Sequence, residues 1–122
     1  MARTVLIVED DEPTQKLLET LMSRNGVGCV VARNGGEAIE LLGSREDIGC
    51  MILDLMMPAV DGHSVLSHVA ASERRVPVIV CSATNVRPDS FDASVVRAVV
   101  QKPFDIEQLM ALVESLLGDA KS

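Results

Sequence analysis

The chain has 122 residues, enough for one domain whose core buries roughly two-thirds of the unfolded surface. Apolar residues make up 48% and charged residues 24%, and with two Phe and no Trp or Tyr the core must be aliphatic. The formal net charge of −7 argues against binding nucleic acid through a broad basic face and suits a metal cation or a protein partner. No run approaches the ~18 consecutive apolar residues that a membrane span needs, and no signal-peptide pattern opens the chain. Cys29, Cys50 and Cys81 are odd in number, form no CxxC and lie in or beside apolar segments. They read as reduced core thiols of a cytosolic protein.

In chain order, Thr4 to Val8 is a β-rich apolar run that ends in the acidic cluster Glu9-Asp10-Asp11-Glu12. Pro13 then stands where a first helical turn begins, and Leu17, Leu18, Leu21 and Met22 mark an amphipathic helix that stops near Asn25-Gly26. Cys29 to Ala32 is a second strand. Asn34 and Glu37 have capping-box spacing for a second helix closed by Gly43. Met51-Ile52-Leu53 is a buried third strand that stops at Asp54, with Pro58 and Gly62 marking the turn beyond it. Val65, Leu66 and Val69 mark a third helix running to about Ser72, and Pro77 to Cys81 is a fourth strand. Arg87 to Val96 is expected to hold a short or irregular fourth helix, since Pro88, Ser90, Ser94 and paired Val are poor helix formers. Ala98 to Gln101 is a fifth strand, and Asp105 with Gln108 caps a last helix bearing Ile106, Leu109, Met110, Leu112, Val113, Leu116 and Leu117.

Strict alternation of strand and helix implies an α/β, doubly wound parallel sheet with helices on both faces. The common five-stranded flavodoxin-like order is 2-1-3-4-5, and its ligands sit beyond the carboxyl ends of strands 1 and 3. Strand 1 ends in Glu9 and Asp10, strand 3 in Asp54, strand 4 in Ser82 and strand 5 in Lys102. That order places these strands side by side at roughly 4.8 Å intervals. Clustered carboxylates repel unless a cation joins them, and Mg²⁺ suits a site of hard oxygen ligands. Mg²⁺ with Lys102 and Ser82 would cradle a phosphoryl group, and the central Asp54 is the candidate acceptor for an aspartyl phosphate. Singly, each residue has a plainer role: helix-end acids, a turn acid, a turn hydroxyl, a surface lysine. The combination at four strand ends carries the inference.

These residues fall in the segments VED at 8–10, DLMMPxxDG at 54–62, SA at 82–83 and KPF at 102–104. In that order and spacing the chain resembles the receiver domain of bacterial response regulators along essentially its whole length. The resemblance implies that Asp54 is the phosphoacceptor and that Asp10 and Asp54 contact Mg²⁺ directly, with Glu9 acting through water. It also implies the main-chain carbonyl of Met56 as a further metal ligand, and Ser82 and Lys102 on the phosphoryl oxygens. A cis bond between Lys102 and Pro103 is a further implication, as is a first helix, near Gln15 and Lys16, that docks a histidine kinase or a histidine phosphotransfer protein. One departure is Val99, which stands where the family often has an inward-turning Tyr or Phe; a β-branched residue on a strand is stiff. The usual relay through strand 5 is therefore in question, and the weak fourth helix is the alternative carrier of the change.

Other signals are set aside. There is no GxGxxG, His63 and His68 do not share a helix face, and Cys81 has no histidine to activate it. The reading is a single receiver domain over 1–122, cytoplasmic, a monomer or weak dimer. It takes a phosphoryl group on Asp54 in a Mg²⁺-dependent step that it assists, and it switches binding to a downstream effector protein, without direct contact to nucleic acid or membrane. The alternatives are the excised N-terminal receiver of a multidomain regulator, an aspartyl-phosphate-forming phosphatase, and an interaction domain with a vestigial site.

Overall fold

A computed structural model describes residues 3–55, 62–83, 87 and 91–119. The elements in order are β1 (Thr4–Val8), α1 (Glu12–Arg24), β2 (Gly28–Ala32), α2 (Gly35–Ser44), β3 (Ile48–Asp54), α3 (Gly62–Ala71), β4 (Val78–Ser82), β5 (Val96–Gln101) and α4 (Ile106–Asp119). All strand pairs are parallel, and the sheet order is β2-β1-β3-β4-β5, the doubly wound order expected.

Strand periodicity splits the aliphatic residues between two cores. Leu6, Val8, Met51, Leu53, Val78 and Val80 face one layer with Ala38 of α2 and Val65, Leu66 and Val69 of α3. Val5, Ile7, Cys50, Ile52, Ile79 and Cys81 face the other, with Leu18 and Met22 of α1 and Leu109, Val113 and Leu117 of α4. β3 lies at the centre and is buried along its whole length. Burying each Leu, Ile or Val side chain fully contributes about 1.5–3 kcal/mol.

Caps fix the helix ends that border the site. Asp11 is the N-cap of α1, accepting from the Thr14 N–H at 3.1 Å and from the Thr14 hydroxyl. The end of α1 is a Schellman turn: Gly26 has φ +69, its N–H reaches Ser23 O, and the N–H of buried Val27 reaches Met22 O. Asn34 caps α2 through the Glu37 N–H at 2.9 Å, while Glu37 returns a bond to the Arg33 N–H at 2.7 Å, one residue before the position a strict capping box uses. Asp105 caps α4 through the N–H groups of Glu107 and Gln108 at 2.9 and 3.2 Å.

Three expectations need revision. β3 starts at Ile48, not Met51, because it pairs with β1 from Thr4 onward. The segment expected as a fourth helix is not helical where it is described: residues 91–95 form a turn, with the N–H groups of Val95 and Val96 on Asp92 O, and Val96 already begins β5. β-branched residues at 95 and 96 favour that strand over a last helical turn. The rest of that segment, except Arg87, lies outside the described residues. The cysteines also differ: Cys50 and Cys81 are buried, but Cys29 is only half-buried on the edge strand β2, and all three are free thiols. Burial pushes the Cys50 and Cys81 thiols up to about 12, which keeps them protonated and inert. No helix among the described residues is long and apolar enough to cross a membrane.

Candidate functional site

The acidic run after β1 divides into four different duties. Glu9 is buried, with its N–H on Ala32 O of β2 at 3.1 Å. Asp10 is exposed, Asp11 caps α1, and Glu12 makes an exposed ion pair with Lys16 one helical turn on. A surface pair of that kind is worth little. Gln15 is buried on the inner face of α1, and its Nε2 donates to the main-chain oxygen of Glu9 at 2.5 Å. Sequence reading placed Gln15 beside Lys16 on a docking helix; its position three residues before buried Leu18 was the signal that it turns inward.

Asp54 is the last residue of β3 and Ser82 the last of β4, and both are buried. Lys102 follows β5, donating its N–H to Ser82 O at 2.7 Å, and the Lys102–Pro103 bond is cis, as expected. The Lys102 ammonium reaches farther than Asp54. It sits 3.4 Å from Asp54 Oδ2 and 2.7 Å from Glu9 Oε1, crossing back over the sheet to the end of β1.

Glu9, Asp10 and Asp54 each offer a carboxylate oxygen within 4.8 Å of the others. Burial first, and then a hydrogen bond shared with Asp54, raise the Glu9 carboxyl from 4.5 to about 7, although Lys102 pulls it down. Burial works against the Lys102 ammonium too, but the Glu9 bond and the Asp54 charge hold its pKa above the ordinary value. Counted as ionised, three carboxylates face a single ammonium among the described residues here. Burial, and after it the bond to Asp54, makes the charged form of Glu9 costly, and a further cation at the cluster would offset that cost. The donors are all hard oxygens, which fits Mg²⁺ and not a soft metal. Met56, the expected carbonyl ligand, lies outside the described residues. His68 is exposed on α3 and takes no part, and the His63 side chain is also outside what is described.

A parallel sheet in this order with acids, a hydroxyl and a lysine at its carboxyl edge defines a class. Residues 5–114 match the response regulator receiver domain, and the chain belongs to that family. It is a receiver domain of two-component response regulators. The response regulator MprA of Mycobacterium ulcerans is 32% identical over 125 residues, which cover 99% of this chain and 53% of the relative. The chain spans about half the length of the curated relatives it matches. The receiver domain of the Francisella response regulator 1452 superposes with a TM-score of 0.87 at 28% identity, covering 96% of this chain and 98% of that one. The receiver domain of a Pseudomonas aeruginosa sensor histidine kinase shares the fold with a TM-score of 0.81 at 24% identity, over 97% of this chain and 99% of its own; it holds a magnesium ion coordinated in its active-site cleft.

Proposed function

We propose that the chain accepts a phosphoryl group on Asp54 from a phosphohistidine on a histidine kinase or phosphotransfer protein. The observation that supports this most is the Lys102 ammonium lying between the buried carboxylates of Glu9 and Asp54, with exposed Asp10 completing the acidic cluster. A carboxylate oxygen of Asp54 bonds to phosphorus as the donor's phosphorus–nitrogen bond breaks. The electron pair leaves on the imidazole nitrogen, which takes a proton from water. Lys102 swings from Glu9 to a phosphoryl oxygen, and the Ser82 hydroxyl donates to another. Such a reaction needs positioning and charge neutralisation above all.

Glu9, Asp10 and Asp54, with the Met56 carbonyl, would hold Mg²⁺; the Pseudomonas receiver has a magnesium ion coordinated in its active-site cleft. When bound, the ion neutralises charge on the phosphoryl oxygens. The same groups assist hydrolysis of the acyl phosphate, so the receiver takes part in both its phosphorylation and its dephosphorylation.

Phosphorylation then shifts the domain between two surface states, one of which binds a downstream effector protein in the cytoplasm. Val99 is half-buried, pairs in register with Val80 and packs against the core on the α2–α3 side. It is stiff and has no ring to rotate, so the change leaves the site by a route other than an aromatic residue on β5. Asp54→Asn tests the assignment. With a phosphodonor and Mg²⁺ the variant should take up no label; uptake to the wild-type extent would refute it.

A further inference from the structure

We propose that Gln15 is a positioning residue for the acidic loop, fixing Asp10 where it can ligate Mg²⁺; this rests on the reading of Glu9, Asp10 and Asp54 as the metal site. The buried residues of α1 are Gln15, Leu18 and Met22, a stripe whose first member is polar where the others are apolar. A buried amide costs a few kcal/mol unless it is hydrogen-bonded, so its presence on that stripe calls for a partner. That partner is the Glu9 main-chain oxygen, 2.5 Å from Gln15 Nε2.

The Glu9 carbonyl and the Asp10 N–H belong to one planar peptide unit. Holding the oxygen fixes that plane, and with it the direction in which Asp10 leaves the chain. The peptide before it is held as well, since the Glu9 N–H donates to Ala32 O of β2 at 3.1 Å. On the far side Asp11 is held by its cap bonds to Thr14. Asp10 itself is exposed between these anchors. Gln15 is the anchor that ties the Glu9–Asp10 peptide to α1. Without its donor the carbonyl would turn to water and the Asp10 carboxylate would lose its fixed relation to Glu9 and Asp54. Residues that hold metal ligands in place commonly matter about 10- to 100-fold in metal affinity.

The test compares Gln15→Met, which keeps the volume on an apolar stripe but lacks the donor, with Val113→Ala, which opens a cavity in the same apolar core at a residue outside the acidic cluster. Gln15→Leu serves as a second variant. Because the chain has no Trp or Tyr, Mg²⁺ affinity is read from amide chemical shifts, and thermal unfolding is followed in chelator. Both Gln15 variants should bind Mg²⁺ about tenfold more weakly than wild type. Val113→Ala should lower the melting temperature in chelator while its Mg²⁺ affinity stays within about twofold of wild type. Wild-type Mg²⁺ affinity in the Gln15 variants would overturn the proposal and leave the amide as a bond that merely satisfies a buried carbonyl. Equal weakening in Val113→Ala would overturn it as well, since the loss would then follow stability. If the wild-type protein itself showed no saturable response to Mg²⁺, the metal-site reading would fail first, and the role of Gln15 with it.

Discussion

The two ends of the central strands carry acids in opposite circumstances. At the amino edge, Asp47 accepts from Arg45 Nε and Nη2 at 2.9 and 2.7 Å and from the Thr4 hydroxyl at 2.8 Å. One carboxylate meets one guanidinium in bidentate geometry, and the Arg45 bonds hold the Asp47 carboxyl well below the usual carboxylate range. At the carboxyl edge, the carboxylates of buried Glu9 and Asp54 and exposed Asp10 meet one ammonium among the described residues, and burial first drives the Glu9 carboxyl up to about 7. The first arrangement is complete in itself and ties β1 to the loop before β3. The second is short of positive charge, a shortage that a bound cation would relieve.

Breaking the second arrangement at the Lys102 ammonium should give the largest effect. Lys102→Met removes the ammonium that the proposed transfer relies on, and phosphotransfer should slow by about 100-fold or more. Mg²⁺ affinity in the same variant should rise, because the ammonium no longer occupies Glu9. Rapid-quench labelling and a Mg²⁺ titration measure the two, and parallel losses would contradict the idea that Lys102 and the metal share these acids.

A smaller effect lies in pH. The folded protein holds the Glu9 proton more tightly than the unfolded chain, since the pKa rises from 4.5 to about 7 on folding. Its contribution is therefore full below the unfolded value and lost as pH rises through the folded one. In chelator the melting temperature should fall from about pH 5 to about pH 8, and Glu9→Gln should flatten that slope. Saturating Mg²⁺ should restore stability at the alkaline end; at ten times its dissociation constant a ligand adds about 1.4 kcal/mol. A wild-type curve that is flat in chelator would show that Glu9 is not the strained member of the cluster.

The smallest effect belongs to the amino edge. Asp47 is held below its ordinary pKa of 3.8, so its contribution is present above that value and lost as pH falls through the folded one. Asp47→Asn should lower the melting temperature slightly at neutral pH, converge on wild type in acid, and leave the Mg²⁺-dependent shift intact. A lost Mg²⁺ shift would mean that the two edges are coupled.

The site was legible in the sequence because a parallel sheet turns chain order into position. Once the order was 2-1-3-4-5, the residues after each apolar run had to meet, and Glu9, Asp10, Asp54, Ser82 and Lys102 do lie on that edge. Side-chain reach was not legible. Lys102 was expected to turn toward Asp54, and the structure carries it on to Glu9, because rotamer choice depends on where the buried charges lie. The start of β3 was hidden by Gly49, which weakens a strand signal that pairing with β1 restores. Residues 91–95 fall in the Arg87–Val96 segment expected as a short or irregular helix, but Asp92 organises them into a turn through its own oxygens. Gln15 hid because a glutamine near the start of a helix is ordinarily solvated.

Mapping the phosphoryl group tests the central claim most directly. The wild-type protein is phosphorylated with Mg²⁺ present and reduced with borohydride, which converts an acyl phosphate to an alcohol, and its peptides are then sequenced by mass spectrometry. The account predicts homoserine at position 54 and at no other acidic position. Reduction at Asp10 or elsewhere, with Asp54 unchanged, would contradict it.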